Sequence, residues 1–530
     1  MASTLLSPGV EIQERDLTVG SIETVEVNVG GIAGAFSKGP VLKPVRITSE
    51  SQLIEQFGEP TDSNAYEWWT AASFLQYGGV LDVVRVSTTG QLTASDDNAT
   101  SPYTLSIPTV EVYESTYASA AANTFKWAAR SPGVSSNAIK VAIIDKGADV
   151  TLSLDGALST STIGTQVQTA SGSPNGAKSG FIYEWDSVNN KVSLITSDTW
   201  IATDVIENGV TDLNVTAKTE WYDGQTAFGS VSWASISPRP GTSPYVAERG
   251  GANDEMHIVV YDSTGVITGS PNTLLEKFTF VSKANNGKTQ SGATNYYPQI
   301  ILDKSSFVYW GSHEPNAYDV SANALITSGP NYGGTGNAGS DSTTTFDLFS
   351  SDENDRSYTF VKGAETLSAT SGEIMTGLTE FADVETLDID YLLMGPGDTG
   401  SKTNTQAIAA KVLSVASGRK DCVGFISPCY TDVVGVTSSA TQTQNVIDFY
   451  ENMQATSFGV FDNGWKYIYD RFADKYRYIP LNGDVAGLCA SVTANGTPWF
   501  SPAGLNRGAI RGAVKLAFSP TKSERDALYQ

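Results

Sequence analysis

Val80-Leu81-Asp82-Val83-Val84-Arg85-Val86 is a nearly continuous apolar run of strand length, set off on its N-terminal side by Gly78-Gly79. A strand with no position reserved for solvent belongs inside a sheet covered on both faces. Upstream, residues 62–77 place Ala65, Trp68, Trp69, Ala72 and Leu75 at helical spacing, which predicts an aromatic-rich helix face packed into a core. Before it, Ser49-x-x-Gln52 has capping-box form, and Leu53, Ile54 and Phe57 gather on one side of a short helix that Gly58 stops. Earlier still, Val25, Val27 and Val29 alternate with polar residues as in a half-buried strand. Gly30-Gly31-Ile32-Ala33-Gly34-Ala35-Phe36 continues it with small residues suited to close backbone approach. Strand, helix, helix, strand across 20–90 is a crossover unit of α/β type.

The same pattern returns after residue 358. Residues 391–397 read as a strand entering a turn, 403–416 as a helix with Ile408, Val412 and Val415 on one face, 421–426 as a strand, and 443–453 as a helix carrying Val446, Ile447 and Tyr450. Between about 90 and 340 the chain is rich in Ser, Thr, Gly and Asn. Short strands are expected there at 140–145, 191–195, 257–261, 299–302 and 307–310, with a short helix at 273–278. Ser237-Pro238-Arg239-Pro240-Gly241 and Gly250-Gly251 mark a boundary near 245. The expected fold class is therefore an α/β core, a mostly parallel or mixed sheet with flanking helices, carrying inserted β-rich protruding domains, α+β and multidomain overall. The expected domains are an N-terminal arm at 1–20, a discontinuous core of 21–90 with 341–530, a β-rich insertion at 91–245 and a second at 246–340. Thr521-Lys522-Ser523-Glu524 opens a helix with barely two turns before Gln530, a pattern expected where a longer protein has been cut.

Composition narrows the function. The 530 residues carry 33 basic and 57 acidic side chains, a net charge of −24. Phosphate backbones and anionic lipid need the opposite sign, so the chain is a poor candidate for general nucleic-acid binding and for docking on anionic lipid. The three cysteines, Cys422, Cys429 and Cys489, lack metal-ligand spacing and read as small reduced hydrophobes. The N-terminal residues lack a basic stretch followed by an apolar one, and no apolar run approaches the ~18 residues a membrane helix needs. Synthesis and folding in a cytosol are expected.

No constellation of reactive residues stands out. Gly334-Thr335-Gly336-Asn337-Ala338-Gly339 spells a dinucleotide fingerprint, but a loop precedes it and Ser/Thr-rich sequence follows, where a strand and a helix are required. His257 lies at a strand position and His313 in a turn, neither beside a nucleophile motif. Asp383, Glu385, Asp388 and Asp390 are close in sequence, and Asp352-Glu353-Asn354-Asp355 lacks the glycine and terminal glutamate of a calcium loop; both read as solvated acids. No catalytic residue, cofactor or metal is expected.

Several segments resemble the contractile-tail sheath proteins of tailed bacteriophages. Ser7-Pro8-Gly9-Val10-Glu11 resembles the opening of the sheath arm, and Gly30–Pro40 the strand that follows. Phe57-Gly58-Glu59-Pro60-Thr61, Phe74-Leu75-Gln76-Tyr77-Gly78, and Ser131-Pro132-Gly133 with Asn137 are similar to family elements. The most specific block runs from Asp484–Ala490 through Trp499-Phe500-Ser501-Pro502-Ala503-Gly504-Leu505-Asn506-Arg507-Gly508 to Arg525–Gln530. The resemblance covers 7–90 and about 385–530, with local matches between. The family continues past its Leu-Tyr-Gln element, so a chain ending at Gln530 is expected to stay monomeric.

The resemblance implies a virion component assembled in the host cytoplasm, not an enzyme. Subunits would stack as hexameric rings into a helical sheath around a tail tube protein, with baseplate and tail terminator proteins as further partners. Contraction would drive the tube through the host envelope to deliver the genome. Arms would lend strands to neighbouring subunits, making Pro8, Gly9, Val10, Glu11 and Ile12 candidates for subunit interaction. The alternatives are an adhesin or carbohydrate-binding β protein using aromatics of the insertions, and an α/β hydrolase-like enzyme based on a histidine.

Overall fold

A computed structural model describes residues 28–97, 103–119, 123–209, 211–314, 317–326, 340–350, 356–495, 499–504 and 507–529. The arm at 1–20 with Pro8–Ile12, the Gly334–Gly339 run and Asp352–Asp355 lie outside these residues.

The chain forms a mixed α/β structure with several sheets. One six-stranded sheet joins two distant parts of the sequence in the order Val45–Ile47, Val80–Arg85, Val29–Gly34, Tyr391–Leu393, Val423–Ile426, Gly459–Phe461. Neighbours are parallel except the first pair. All six residues of the 29–34 strand are buried. The twofold period of a strand divides the apolar runs between two cores. Ile32, Val83, Leu393 and Phe425 face one core with Trp68, Trp69 and Phe74, whereas Ala33, Val84, Leu392 and Ile426 face the other with Phe381, Ile408 and Val412. Glycine in the central strand lets both layers close in. A Cβ on Gly30 would lie 2.9 Å from the Phe74 ring, and one on Gly31 2.8 Å from the Phe381 ring.

The covering helices start where the sequence signals them. Ser49 caps Glu50–Phe57 by accepting a hydrogen bond from the Gln52 amide at 3.2 Å, but the Gln52 side chain returns to the amide of Thr48, one residue before the box predicts. Ala65–Leu75 and Asn482–Asn495 lie over the first core, and Ser371–Thr379 and Lys402–Arg419 over the second. Trp68 is wholly buried, its indole N–H donating to the Gly58 carbonyl at 2.9 Å, and Trp69 is 3% exposed. Glu67, on the same helix, buries its carboxyl group without a hydrogen-bond partner for Oε2, and desolvation pushes its pKa up to about 7.

The chain leaves this sheet after Arg85 and returns near residue 370. Arg85 is buried where the two parts meet. Its guanidinium donates to the Gly39 carbonyl (2.9 Å), the Ser131 hydroxyl (3.1 Å) and the Ser37 carbonyl (3.4 Å). The Asn137 side chain both donates to and accepts from the backbone of Gly363. The Ser-Pro-Gly turn and Asn137 thus hold the exit of the chain against its return.

An antiparallel sheet follows, in the order Thr273–Ser282, Glu255–Asp262, Ile139–Asp145, Ser357–Thr359. It crosses the boundaries expected near 245 and 340. The physical reason is that 139–145 and 255–262 are apolar on both faces, so each completes the burial of the other at the sheet centre. A separate six-stranded antiparallel sheet between residues 150 and 220 has its own core around Leu152, Ile182, Leu194 and Trp200.

Two local expectations are corrected. Residues 273–278 belong to a strand, because Leu274, Leu275 and Phe278 fit an edge strand as well as a helix and pairing with 255–262 decides. Residues 299–302 lie in the helix Tyr297–Lys304, whose Pro298 occupies a first-turn position that presets helical φ.

Candidate assembly surface

The sequence-flagged chemical residues are absorbed by structure. His257 Nε2 lies 2.7 Å from the Pro238 carbonyl, and Nδ1 accepts from the Phe280 amide at 3.0 Å. Burial lowers its pKa. His313 sits between the hydroxyls of Tyr296 and Tyr297. Asp383 caps a turn by accepting from the Glu385 amide and the Thr386 hydroxyl, and Asp390 accepts from the Val29 amide at 2.9 Å. These bonds give Asp383 and Asp390 separate structural roles. Cys422 and Cys429 are buried and Cys489 half-buried, with burial pushing the Cys422 thiol up to about 11. Among the described residues, no group of three His, Cys, Asp or Glu side chains could hold a metal, and no helix is long and apolar enough to cross a membrane.

The most unusual surface is a three-stranded antiparallel sheet, ordered Lys475–Pro480, Trp465–Asp470, Lys515–Leu516. Tyrosines at alternate positions fall on one face. Register pairs Tyr467 with Tyr478 and Tyr469 with Tyr476, so the four rings form a ladder. Ring centres lie 4.6 Å apart for Tyr467–Tyr478, and 5.3 Å apart for both Tyr467–Tyr476 and Tyr469–Tyr476. The Lys515 ammonium stands 4.9 Å above the Tyr467 ring. Tyr469 and Tyr476 remain about half exposed, at 47% and 52%. Rigid amphipathic rings of this kind suit protein contact, since they bury large area at low entropy cost.

The opposite face is anchored. Lys466 forms a buried ion pair with Asp484 at 2.8 Å and donates to the Arg511 carbonyl at 3.2 Å. The Tyr77 hydroxyl donates to Asp484 at 2.9 Å and accepts from the Arg511 amide at 2.8 Å. Burial raises the Asp484 pKa, opposed by Lys466. Arg477 bonds Asp470 beneath and Asp62 beside it. Nearby in sequence, Trp499 (80% exposed), Phe500, Val514, Leu516 and Tyr529 place large apolar groups in solvent. The stretch 499–529 carries five basic and two acidic residues in a chain of net charge −24.

This sheet was not singled out from the sequence, although a signal exists. Trp465-Lys466-Tyr467-Ile468-Tyr469-Asp470 and Lys475-Tyr476-Arg477-Tyr478-Ile479 repeat aromatics at period two across a four-residue turn, which is a hairpin signature.

Residues 368–530 match the phage tail sheath protein central domain, and residues 29–86 match the domain III N-terminal region of tail sheath protein Gp18. Over 99% of its length the chain is 26% identical to a tail sheath protein of Enterobacteria phage T4 and 27% identical to one of Vibrio phage KVP40, spanning 79% of each. A tail sheath protein of Salmonella phage ViI is 25% identical, with 76% of it covered. Among solved structures, a sheath tail protein from Listeria innocua aligns over 94% of this chain and 63% of its own, at 8% identity and a TM-score of 0.39. One from Desulfitobacterium hafniense aligns over 98% and 70%, at 9% identity and a TM-score of 0.33.

Proposed function

We propose that this chain, a relative of the phage tail sheath proteins, is a structural subunit of a contractile tail sheath. One observation carries the reading: the two segments that match sheath domains, 29–86 and 368–530, are the segments that the six-stranded mixed sheet brings together. The family likeness therefore coincides with one folded unit.

In this reading copies of the chain stack as hexameric rings around a tail tube, within the virion, after assembly in the host cytoplasm. Baseplate and terminator proteins bound the lattice at its ends. The work is mechanical and non-catalytic. Energy is held in contacts between subunits and released when those contacts are exchanged for a shorter, wider set. Strands 475–480 and 515–516 are the edges of the tyrosine sheet. An edge can accept an added strand, with main-chain hydrogen bonds supplying affinity and the aromatic ladder supplying packing. The arm at 1–20, with Pro8, Gly9, Val10, Glu11 and Ile12, is the proposed donor to a neighbour. The domains at 91–245 and 246–340 are proposed to protrude from the lattice, with the qualification that one sheet spans both.

Electron microscopy of the intact reading frame, expressed with its tail tube protein, tests this. Rings or tubes are expected, and deletion of residues 1–20 is expected to stop assembly while leaving the melting transition in place. Normal tubes from the deletion remove the role of the arm. Monodisperse single subunits from the intact frame under all conditions overturn the sheath reading.

A further inference from the structure

A bulge in the edge of the 139–359 sheet holds an aromatic ring in a conformation that aromatic residues avoid. Pairing of strands 255–262 and 273–282 shifts register between Met256 and Ile258, leaving Thr279 and Phe280 opposite His257. Phe280 has φ +56°, the left-handed region in which such bulges ordinarily place glycine. Its amide donates to His257 Nδ1 at 3.0 Å, and its carbonyl accepts from the Asn295 side chain at 2.8 Å. The ring meets His257 edge to face at 4.7 Å. The backbone is thus fixed from both sides, and the residue stays half-buried.

Phe280 lines a cleft of about 540 Å³. Across the lining stand Tyr245, Glu248, Glu255, Lys288 and Gln290. Tyr245 is held by the Arg249 guanidinium 3.6 Å above its ring, and Glu255 by the Gly241 amide at 3.0 Å. The size suits a small oligomeric ligand. Glu248 and Glu255 are balanced by Lys288 and by Arg249, which pairs with Glu248 at 3.7 Å, so the walls carry no surplus positive charge to favour a phosphate or other anion. Carboxylates, an amide and hydroxyls among the walls disfavour a lipid. Aromatic faces accept C–H groups, while acids and amides accept and donate hydrogen bonds to hydroxyls. We propose that this cleft binds a neutral saccharide of two or three units, seated against Phe280 and Tyr245 and hydrogen-bonded by Glu248, Glu255 and Gln290. This assignment rests on the cleft alone and stands whether or not the chain forms a sheath.

The test is a printed array of bacterial cell-wall and capsule oligosaccharides probed with the purified protein, followed by calorimetric titration of the brightest neutral glycan. Phe280→Gly keeps the bulge conformation and removes the ring, Tyr245→Ala trims a partly buried ring at the edge of the core, and Gln290→Ala alters an exposed position. Each is expected to stay folded by circular dichroism and to weaken binding about tenfold or more. An array with no neutral glycan above background overturns the proposal. So does a bound glycan whose affinity is unchanged in folded Phe280→Gly and Tyr245→Ala. Phe280→Gly failing to fold leaves Tyr245→Ala and Gln290→Ala to decide on their own.

Discussion

The six-stranded mixed sheet, drawn from both ends of the chain, and the three-stranded tyrosine sheet, drawn from its C-terminal part, treat solvent in opposite ways. The first hides both faces: its strands are apolar on alternate and intervening positions alike, and glycines let a helix layer press on each side. The second hides one face behind Lys466, Asp484 and Tyr77, and leaves Tyr469, Tyr476 and two strand edges outside. A sheet closed on both sides can only support the fold. A sheet closed on one side is available to a partner, and its buried side fixes the geometry at which that partner is met.

The largest expected effect is in the closed sheet. Trp68→Ala removes a wholly buried side chain and is expected to destabilise the protein by about 3–5 kcal/mol in urea unfolding. A change near zero would place Trp68 outside the core and break the contrast. Lys466→Met acts beneath the open sheet. It strands the Asp484 carboxylate without its cation and is expected to cost about 3 kcal/mol at pH 7, with the loss shrinking in acid as Asp484 takes up a proton.

A pH profile sharpens the comparison further. Folding raises the Glu67 pKa from 4.5 to about 7, so the folded state keeps a proton that the unfolded state gives up near pH 4.5. The stability contribution of this group is therefore complete below pH 4.5 and is lost as pH rises to about 7. Glu67→Gln is expected to be about 2–3 kcal/mol more stable than the parent at pH 8 and equal to it at pH 4, read as urea midpoints across the range. The smallest stability effect belongs to the open face. Tyr469→Ala and Tyr476→Ala are expected to change stability by under about 1 kcal/mol each, while reducing tube formation in electron micrographs. A large loss of stability with assembly intact would make the ladder a structural feature only.

The core was legible because its signals are redundant. The 80–86 run, the helix stripe through Trp68 and Trp69, and the helix carrying Ile408 and Val412 each combine periodicity with a cap or a glycine stop. The insertions were less legible because their strands are short and their partners remote. Nothing near residue 140 announces that its neighbour in the sheet begins at Glu255, so a Pro/Gly-rich stretch between them read as a boundary. Leu274-Leu275 and Ile300-Ile301 carry too few residues to separate helix from strand by period. The tyrosine sheet was readable in its alternation but not in its significance, which depends on which face Lys466 and Asp484 bury. The arm residues Pro8–Ile12 lie outside the described residues and rest on resemblance.

The pairing of the 29–34 strand has a consequence for synthesis. The Val29 amide is bonded by the carboxylate of Asp390, 361 positions later. At about 5–20 residues per second, a ribosome makes that partner about 20–70 seconds after the strand. Through that interval the backbone edge that will adjoin Tyr391–Leu393 has no mate, and the whole intervening polypeptide must fold while it waits. The length of the insertions therefore sets how long the nascent chain carries an unpaired edge open to wrong partners.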